Sequence, residues 1–215
     1  MLPFMQNELS VNEIFFSIDG EGKRAGKLAA FIRLAGCNLR CSYCDTEYAF
    51  TDGQLMRIDE IAEAVEGWEN VTVTGGEPLL QDIHALLERL QGHEVNIETN
   101  GSVDVTPYHE YPWVFFTLDY KCPSSRMESS MLEKNFQTLR SQDVLKFVVG
   151  DREDLRRAQE VCEKYAPRCL VYLSPVFGKI EAKEIVEYMK SARYKNWRLQ
   201  LQLHKFIWPP DARGV

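Results

Sequence analysis

The sequence has no apolar run long enough to cross a bilayer, no low-complexity segment and no repeat of fixed period. It also lacks an excess of basic residues. The formal net charge of -7 disfavours broad binding to nucleic acids or to anionic membranes. The opening stretch MLPFMQNELS lacks the basic and apolar regions of a secretory signal. We therefore expect a cytoplasmic protein that binds neither a membrane nor a nucleic acid.

Histidine is scarce in this chain, with 4 residues against 6 cysteines. Without an export signal, the cysteines are expected to be reduced thiols rather than a disulfide scaffold. Cys162 and Cys169 lie in a predicted helix and at the start of a predicted strand, where a cysteine is typically a small buried apolar residue. Cys37, Cys41 and Cys44 instead stand close together in the stretch CNLRCSYC, which indicates a metal site.

Length and composition are those of an ordinary globular domain, with 215 residues, 45% hydrophobic and 27% charged. Short apolar runs alternate with amphipathic stretches, which predicts parallel βα units. Strands are predicted in LAAFIRLAG, NVTVTGGEP, EVNIETNG, WVFFTLDYK, VLKFVVG, LVYLSPVFG and WRLQLQLHKF. Helices are predicted in DEIAEAVEGW, LLQDIHALLERL, SSMLEKNFQTLR, the stretch that Asp151 caps and EAKEIVEYMK.

About six or seven parallel strands are too few for a closed barrel of eight. The predicted fold is therefore of the α/β class, a partial, open β/α barrel formed by residues 1–215 as a single domain. Ligands of such folds gather at the carboxyl ends of the strands. The cysteine stretch, TGGEP, ETNG, LDYKCP and LSPVFG each follow a predicted strand, and His204 is predicted near the end of the last one. We expect all of them on one rim.

Three thiolates in one loop suit either an iron–sulfur cluster or zinc. The spacing C-x3-C-x2-C gives a cubane cluster three ligands and leaves its fourth iron open. A structural zinc site would need a fourth protein ligand. None of the four histidines, His84, His93, His109 and His204, is near the loop in sequence. The spacing thus favours a [4Fe-4S] cluster with an open iron.

The motif C-x3-C-x2-C, with Tyr43 before the last cysteine, resembles the signature of the radical S-adenosylmethionine (SAM) superfamily, and TGGEP resembles its second motif. The glycine pair in TGGEP allows a ligand to approach the backbone closely. The resemblance implies that Cys37, Cys41 and Cys44 hold a [4Fe-4S] cluster and that SAM chelates its open iron.

Further stretches resemble one branch of that superfamily, the 7-carboxy-7-deazaguanine synthase family. They are FFSIDGEG, Arg33 four residues before the first cysteine, CDT, LDYKCPSS and QLHKFIW, so the resemblance covers essentially the whole chain. It implies conversion of 6-carboxy-5,6,7,8-tetrahydropterin to 7-carboxy-7-deazaguanine by ring contraction with loss of ammonia. This carbon–nitrogen lyase reaction belongs to the biosynthesis of queuosine and related deazapurines.

The resemblance also implies roles for individual residues. Contacts to SAM are expected from Tyr43, Asp45, Gly76, Glu77, Asp119, Tyr120, Lys121 and Ser174. Contacts to the substrate are expected from Ile18, Asp19, Gly20, Arg33, Thr74, His204 and the terminal carboxylate of Val215. Thr46 is expected to help bind a magnesium ion. The match at Asp119–Lys121 is loose, because many members carry Ser-Pro-Lys there.

The resemblance further implies a homodimer and a low-potential electron donor such as flavodoxin or ferredoxin. Two alternatives stay open at this point. A radical SAM activase that makes a glycyl radical on a partner protein would share the cysteine loop but not FFSIDGEG. A non-catalytic iron–sulfur carrier or zinc module would need a fourth ligand, for which Cys122 is the candidate, and TGGEP would then have no role.

Overall fold

A nine-stranded sheet forms the centre of the computed structural model, which describes residues 7–215. Residues 1–6, the start of the stretch inspected for a secretory signal, lie outside the described residues. The strands are β1 (Glu8–Ile18), β2 (Leu28–Leu34), β3 (Gln54–Arg57), β4 (Asn70–Gly75), β5 (Glu94–Thr99), β6 (Val114–Tyr120), β7 (Val144–Val149), β8 (Leu170–Pro175) and β9 (Trp197–Leu199).

The strand order is β3-β1-β2-β4-β5-β6-β7-β8-β9. From β2 to β9 every neighbouring pair is parallel, whereas β1 runs antiparallel to both β2 and β3. The parallel part confirms the predicted α/β class and the partial barrel. The antiparallel strands β1 and β3 were not predicted: FFSIDGEG, residues 15–22, was interpreted only as a binding segment, and no element was assigned to residues 54–57.

The helices are α1 (Ile58–Ala64), α2 (His84–Arg89), α3 (Glu133–Thr138), α4 (Arg152–Tyr165), α5 (Ala182–Ala192) and α6 (His204–Ile207). Short 3-10 helices cover Glu47–Phe50, Pro78–Leu80, Thr106–Glu110, Pro123–Ser125 and Glu128–Ser130. The predicted cap of α4 is confirmed, since the Asp151 side chain accepts hydrogen bonds from the backbone of Glu153 and Asp154. No helix within residues 7–215 is long and apolar enough for a membrane span.

The two faces of the parallel sheet differ in chemistry. One face packs apolar side chains such as Val73, Ile97, Phe116 and Leu145 into a continuous core beneath the helices. Alternate residues of the same strands form the inner face, which is polar and includes Thr72, Thr74, Asn96, Glu98, Thr117, Asp119, Lys146 and Ser174. The buried cysteines Cys162 and Cys169 belong to the apolar core, as predicted. A polar inner face predicts that this side of the sheet carries the site.

The last strand is shorter than predicted. The alternating stretch WRLQLQLHKF forms a strand only over Trp197–Leu199, and His204 begins α6 instead of ending β9. After Leu199 the chain bonds to the loop between β1 and β2. The Gln200 side chain accepts from Gly22 N–H at 2.7 Å, and Leu203 N–H donates to Gly20 O at 3.0 Å. These contacts replace the pairing that a longer strand would make.

The loop between β1 and β2, residues 19–27, inserts into the barrel near the amino ends of β4 and β5. Arg24 is only 4% exposed, and its Nε donates to Asp19 Oδ2 at 2.7 Å. Its other donors bind Thr72 Oγ1 at 2.7 Å and Glu94 O at 2.6 Å. Thr72 Oγ1 in turn donates to Asp19 Oδ1 at 2.9 Å. This buried network fixes the loop inside the barrel.

We expect Arg24→Met to lower the free energy of unfolding by about 3 kcal/mol, because it leaves the buried Asp19 carboxylate without its cation. The measurement is urea denaturation of the purified variant. The double variant Arg24→Met/Asp19→Asn should lose clearly less of this free energy than Arg24→Met alone, because no unpaired charge remains. Equal stability of Arg24→Met and the wild type would show that this ion pair does not hold the loop.

Candidate active site

The cysteine loop, residues 36–46, follows β2 and has no regular secondary structure. Its three cysteines carry free, half-buried thiols. Backbone hydrogen bonds hold the loop in place: Gly36 N–H donates to Ala49 O at 2.8 Å, and Ser42 N–H donates to Ser125 O at 3.1 Å. The thiols therefore stand on a loop that is anchored to its neighbours at two points.

The TGGEP turn (Thr74–Pro78) lies directly against the cysteine loop. Glu77 N–H donates to Gly36 O at 2.8 Å. A Cβ atom on Gly76 would collide with Gly36 O and with the Cβ of Cys37. Only glycine allows this approach. Two motifs that are far apart in sequence thus form one structural unit.

Glu77 is fully buried behind that turn. Its carboxylate accepts from Leu79 N–H at 3.1 Å, Asn100 N–H at 2.6 Å and the Thr99 hydroxyl at 2.9 Å. Burial raises the pKa of Glu77 to about 7, although these donors favour the ionised form. The side chain ties the end of β4 to the end of β5. Its contact with SAM stays a prediction.

The three thiols suit a cluster better than a single metal ion. Across residues 7–215, no three histidine, cysteine, aspartate or glutamate side chains converge closely enough to hold one ion. A cubane cluster binds each thiolate through a different iron, so its ligands are spread apart. Burial raises the pKa of Cys41, while Lys121 lowers it, and burial also raises the pKa of Cys44. The thiols would lose their protons on binding iron.

Cys122 does not join the three cysteines at the rim. It is fully buried and packs in the apolar core. Burial raises the pKa of its thiol well above the ordinary value, so it stays protonated. This supports a structural role and gives no support to Cys122 as a fourth cluster ligand.

Tyr43, Asp45 and Thr46 extend the rim beside the thiols. Tyr43 is partly buried, and its hydroxyl donates to Val148 O at 3.3 Å. Thr46 Oγ1 lies 3.3 Å from Asp45 Oδ1. Burial alone would raise the pKa of Asp45, but the Lys205 ammonium, 2.8 Å from Asp45 Oδ2, lowers it. An ionised carboxylate and a hydroxyl thus stand together at the end of the cysteine loop.

Arg33 lies opposite Thr74 in the β2–β4 register. Its Nε is 2.7 Å from Glu13 Oε1, and its guanidinium lies over the rings of Phe15 and Tyr48 at 5.4 and 5.8 Å. The carboxyl-terminal segment returns to the same group, because Arg213 lies 4.0 Å from the centre of the Tyr48 ring. The structure therefore brings the predicted substrate residues Arg33 and Thr74 together, and Arg213 and Gly214 of the carboxyl-terminal segment lie in the same region. Their contacts with substrate stay predictions.

The inner face beside Arg33 holds a set of charged groups. Thr74 Oγ1 donates to Glu98 Oε2 at 2.9 Å. Lys121 Nζ lies 3.0 Å from Asp119 Oδ2, and the hydroxyl of Ser174 lies 3.3 Å from Glu21 Oε1. Within the described residues, the buried Oδ1 of Asp119 has no hydrogen-bond partner. It is an acceptor that a hydroxyl or amino group of a ligand would fit.

Tyr120 does not share this face with Asp119 and Lys121. Successive residues of a strand point to opposite sides, and Tyr120 points towards the helices. Its ring packs 5.3 Å from Phe136, and its hydroxyl donates to Glu128 Oε1 at 2.8 Å. The side chain of Tyr120 is therefore part of the core, and only its backbone borders the inner face. Its contact with SAM stays a prediction.

The segment Ile18–Gly20 lies beside His204. A Cβ atom on Gly20 would collide with the imidazole of His204, so glycine makes this contact possible. Burial lowers the pKa of His204. The Asp19 side chain is turned away into the Arg24 network, which leaves only its backbone for the predicted substrate contact.

Comparisons with known proteins agree with this geometry. The sequence profile of the radical SAM superfamily matches residues 31–192. The chain is 45% identical over 217 residues to a 7-carboxy-7-deazaguanine synthase of Clostridium acetobutylicum, covering 95% of this chain and 98% of that protein. A protein of the same name from Chlorobaculum tepidum is 40% identical over 220 residues, and the match covers 96% of this chain and 97% of that protein. The chain therefore belongs to the 7-carboxy-7-deazaguanine synthase family of the radical SAM superfamily.

The fold of this family member also has solved neighbours. A crystal structure of QueE from Escherichia coli superposes with a TM-score of 0.75 at 23% identity, covering 92% of this chain and 95% of that one. A radical SAM methyltransferase from Sphaerobacter thermophilus superposes with a TM-score of 0.54 at 14% identity, covering 80% of this chain and 66% of that one. These likenesses confirm the partial barrel. Family membership also confirms the predicted resemblance and implies a [4Fe-4S] cluster and SAM as cofactors, which the cysteine loop fits.

Several charged residues of this radical SAM protein's inner face were missed in the sequence. They are Glu13, Glu21, Arg24, Glu98 and Lys146. One signal was available: Lys146 interrupts the apolar run VLKFVV, and a buried charge in such a strand needs a partner. The others lie in polar surroundings that give no such signal.

The raised pKa of Glu77 leads to a pH-dependent prediction. Between pH 4.5 and 7 the unfolded chain ionises Glu77 while the folded protein keeps it protonated, so the folded state loses stability as pH rises through this range. Glu77→Gln has no carboxyl group to titrate at this position, so its stability should not fall for this reason. Relative to the variant, we expect the wild-type free energy of unfolding to fall by up to about 3 kcal/mol across the window.

The measurement is anaerobic urea denaturation at half-unit steps of pH. The exposed Glu66 supplies the matched control, and Glu66→Gln should keep the wild-type slope. Parallel curves for wild type and Glu77→Gln would mean that Glu77 is already ionised throughout the window.

Proposed function

We propose that this enzyme converts 6-carboxy-5,6,7,8-tetrahydropterin to 7-carboxy-7-deazaguanine with loss of ammonia, as a step in deazapurine biosynthesis such as that of queuosine. The observation that carries the proposal is the similarity to 7-carboxy-7-deazaguanine synthases over nearly the full length of both chains. It also favours the synthase over a glycyl-radical activase and over a non-catalytic carrier. The unit that acts is proposed to be one radical SAM domain, residues 1–215.

Cys37, Cys41 and Cys44 would hold the cluster, which together with bound SAM would supply the radical chemistry that the reaction needs. The chain's own groups bind and orient. The guanidinium of Arg33 suits the substrate carboxylate, because its planar fork can pair with both oxygens. The substrate carboxylate would compete for Arg33 with Glu13, whose Oε1 lies 2.7 Å from Arg33 Nε.

The remaining partners are part of the same proposal. Thr46 would help bind Mg²⁺ together with substrate oxygens and water, and the Asp45 carboxylate beside it supports a hard cation at this place. The radical step needs a low-potential electron donor such as flavodoxin or ferredoxin. We also propose a homodimer in the cytoplasm.

Activity can be tested directly. After anaerobic reconstitution with iron and sulfide, incubation with reductant, SAM, Mg²⁺ and the carboxypterin should yield a product lighter by one ammonia in the mass spectrum. Cys41→Ala should lose both the brown chromophore and turnover, whereas Cys162→Ala, which changes a core thiol, should keep the chromophore. A colourless, zinc-loaded wild type with full turnover would refute the cluster.

Arg33→Ala separates substrate binding from cofactor chemistry. We expect it to weaken carboxypterin binding by at least tenfold, about 1.4 kcal/mol or more, because the carboxylate loses its bidentate partner. SAM cleavage without substrate should change little. Arg89→Ala, which removes an exposed arginine of α2, serves as control. Equal loss of binding and of cleavage would indicate that Arg33 is structural.

A further inference from the structure

Lys146 is the one charged residue of β7. All six residues of that strand are buried, and Lys146 itself is only 7% exposed. A buried ammonium ion is costly unless it is paired. Neither the sequence motifs nor the proposed roles above give this side chain a task.

Two carboxylates from different parts of the chain pair with Lys146. Its Nζ lies 3.0 Å from Glu21 Oε2 and 3.5 Å from Asp119 Oδ2. Burial alone would lower the pKa of Lys146, but Asp119, Glu21 and Glu98 raise it well above the ordinary value. The ammonium therefore stays charged at any physiological pH.

The two carboxylates belong to the two halves of the site. Glu21 directly follows Ile18–Gly20, the segment proposed for substrate, and Ser174 approaches its other oxygen. Asp119 begins the segment proposed for SAM and also pairs with Lys121. Without Lys146, three inner carboxylates, Glu21, Glu98 and Asp119, would share one lysine. Carboxylates that share one ammonium ion repel each other once it is removed, and this repulsion would push the two segments apart.

We propose that Lys146 is a positioning residue that couples the substrate segment, residues 18–21, to the SAM segment, residues 119–121. The inference rests on the proposed function, because that function gives the segments their ligands. Lys146 itself contacts neither ligand. It holds Glu21 and Asp119 at a fixed separation, so that occupation of one segment orders the other.

This role predicts energetic coupling between the two ligands. Coupling is reciprocal, and a factor of about ten lies within the usual range. In reconstituted holoenzyme without reductant, SAM should tighten carboxypterin binding by about tenfold. Lys146→Met should reduce that factor to near one. Under turnover, misplaced segments should lower kcat by about a hundredfold, with less product formed per SAM cleaved.

Hydrogen–deuterium exchange gives a readout that requires neither turnover nor the pterin. Adding SAM to wild-type holoenzyme should protect residues 18–22 as well as residues 119–121. In Lys146→Met, protection should be confined to 119–121. Lys146→Arg keeps the charge and should restore part of the long-range protection. Lys134→Met, at an exposed lysine paired with Asp104, should behave as wild type.

A double variant answers the objection that Lys146→Met merely misfolds. Glu21→Gln with Lys146→Met buries no unpaired charge at this pair, so it should fold and bind iron. Coupling should still be absent, because the bridge is gone. Recovery of wild-type coupling would show that Lys146 only balances charge, and unchanged coupling in Lys146→Met would equally overturn the inference. A wild type that binds SAM and shows the protection but makes no product would refute the proposed function alone.

Discussion

The backbone of Gly76 lies directly against Gly36 and Cys37, and the position of the whole cysteine loop depends on that contact. The loop has no helix or strand of its own to hold it. Its thiols keep their place because the end of β4 approaches without a side chain and Glu77 donates a backbone hydrogen bond across the gap. The buried Glu77 carboxylate in turn binds Thr99 and Asn100 at the end of β5, which links this contact to the next strand. The rim is thus a set of strand ends that fix one another.

Inside the barrel, paired charges perform the task that apolar packing performs on the outer face. The loop between β1 and β2 supplies Asp19, Glu21 and Arg24 to this interior. Asp19 and Arg24 neutralise each other near the amino ends of β4 and β5, which leaves Glu21 to meet Lys146. A segment without regular structure can therefore hold a defined position within the sheet. Its position depends on ion pairs that connect residues far apart in sequence.

The parallel strands and the cysteine site could be predicted because each is encoded locally. A buried strand such as VLKFVV is an apolar run with a single interruption, and three closely spaced cysteines indicate a metal site directly. The end of the sheet could not be predicted in this way. The alternation after Leu199 is that of a strand, but only the Gln200 N–H still donates to β8, and the Gln200 side chain and the Leu203 N–H bind Gly22 and Gly20 instead. The orientation of the Tyr120 side chain could not be predicted for a related reason, because a motif does not tell which side of the sheet each residue faces.

The polar inner face has a consequence for the energetics of ligand binding. A binding surface lined by carboxylates, ammonium groups and hydroxyls is wetted by solvent, whereas an apolar cavity stays dry. SAM and a carboxypterin would therefore replace water in a polar environment rather than cover an apolar wall. Binding of this kind is expected to be driven by enthalpy, with a smaller change in heat capacity than burial of apolar surface would give. Calorimetry would then register chiefly the exchange of hydration for charged hydrogen bonds.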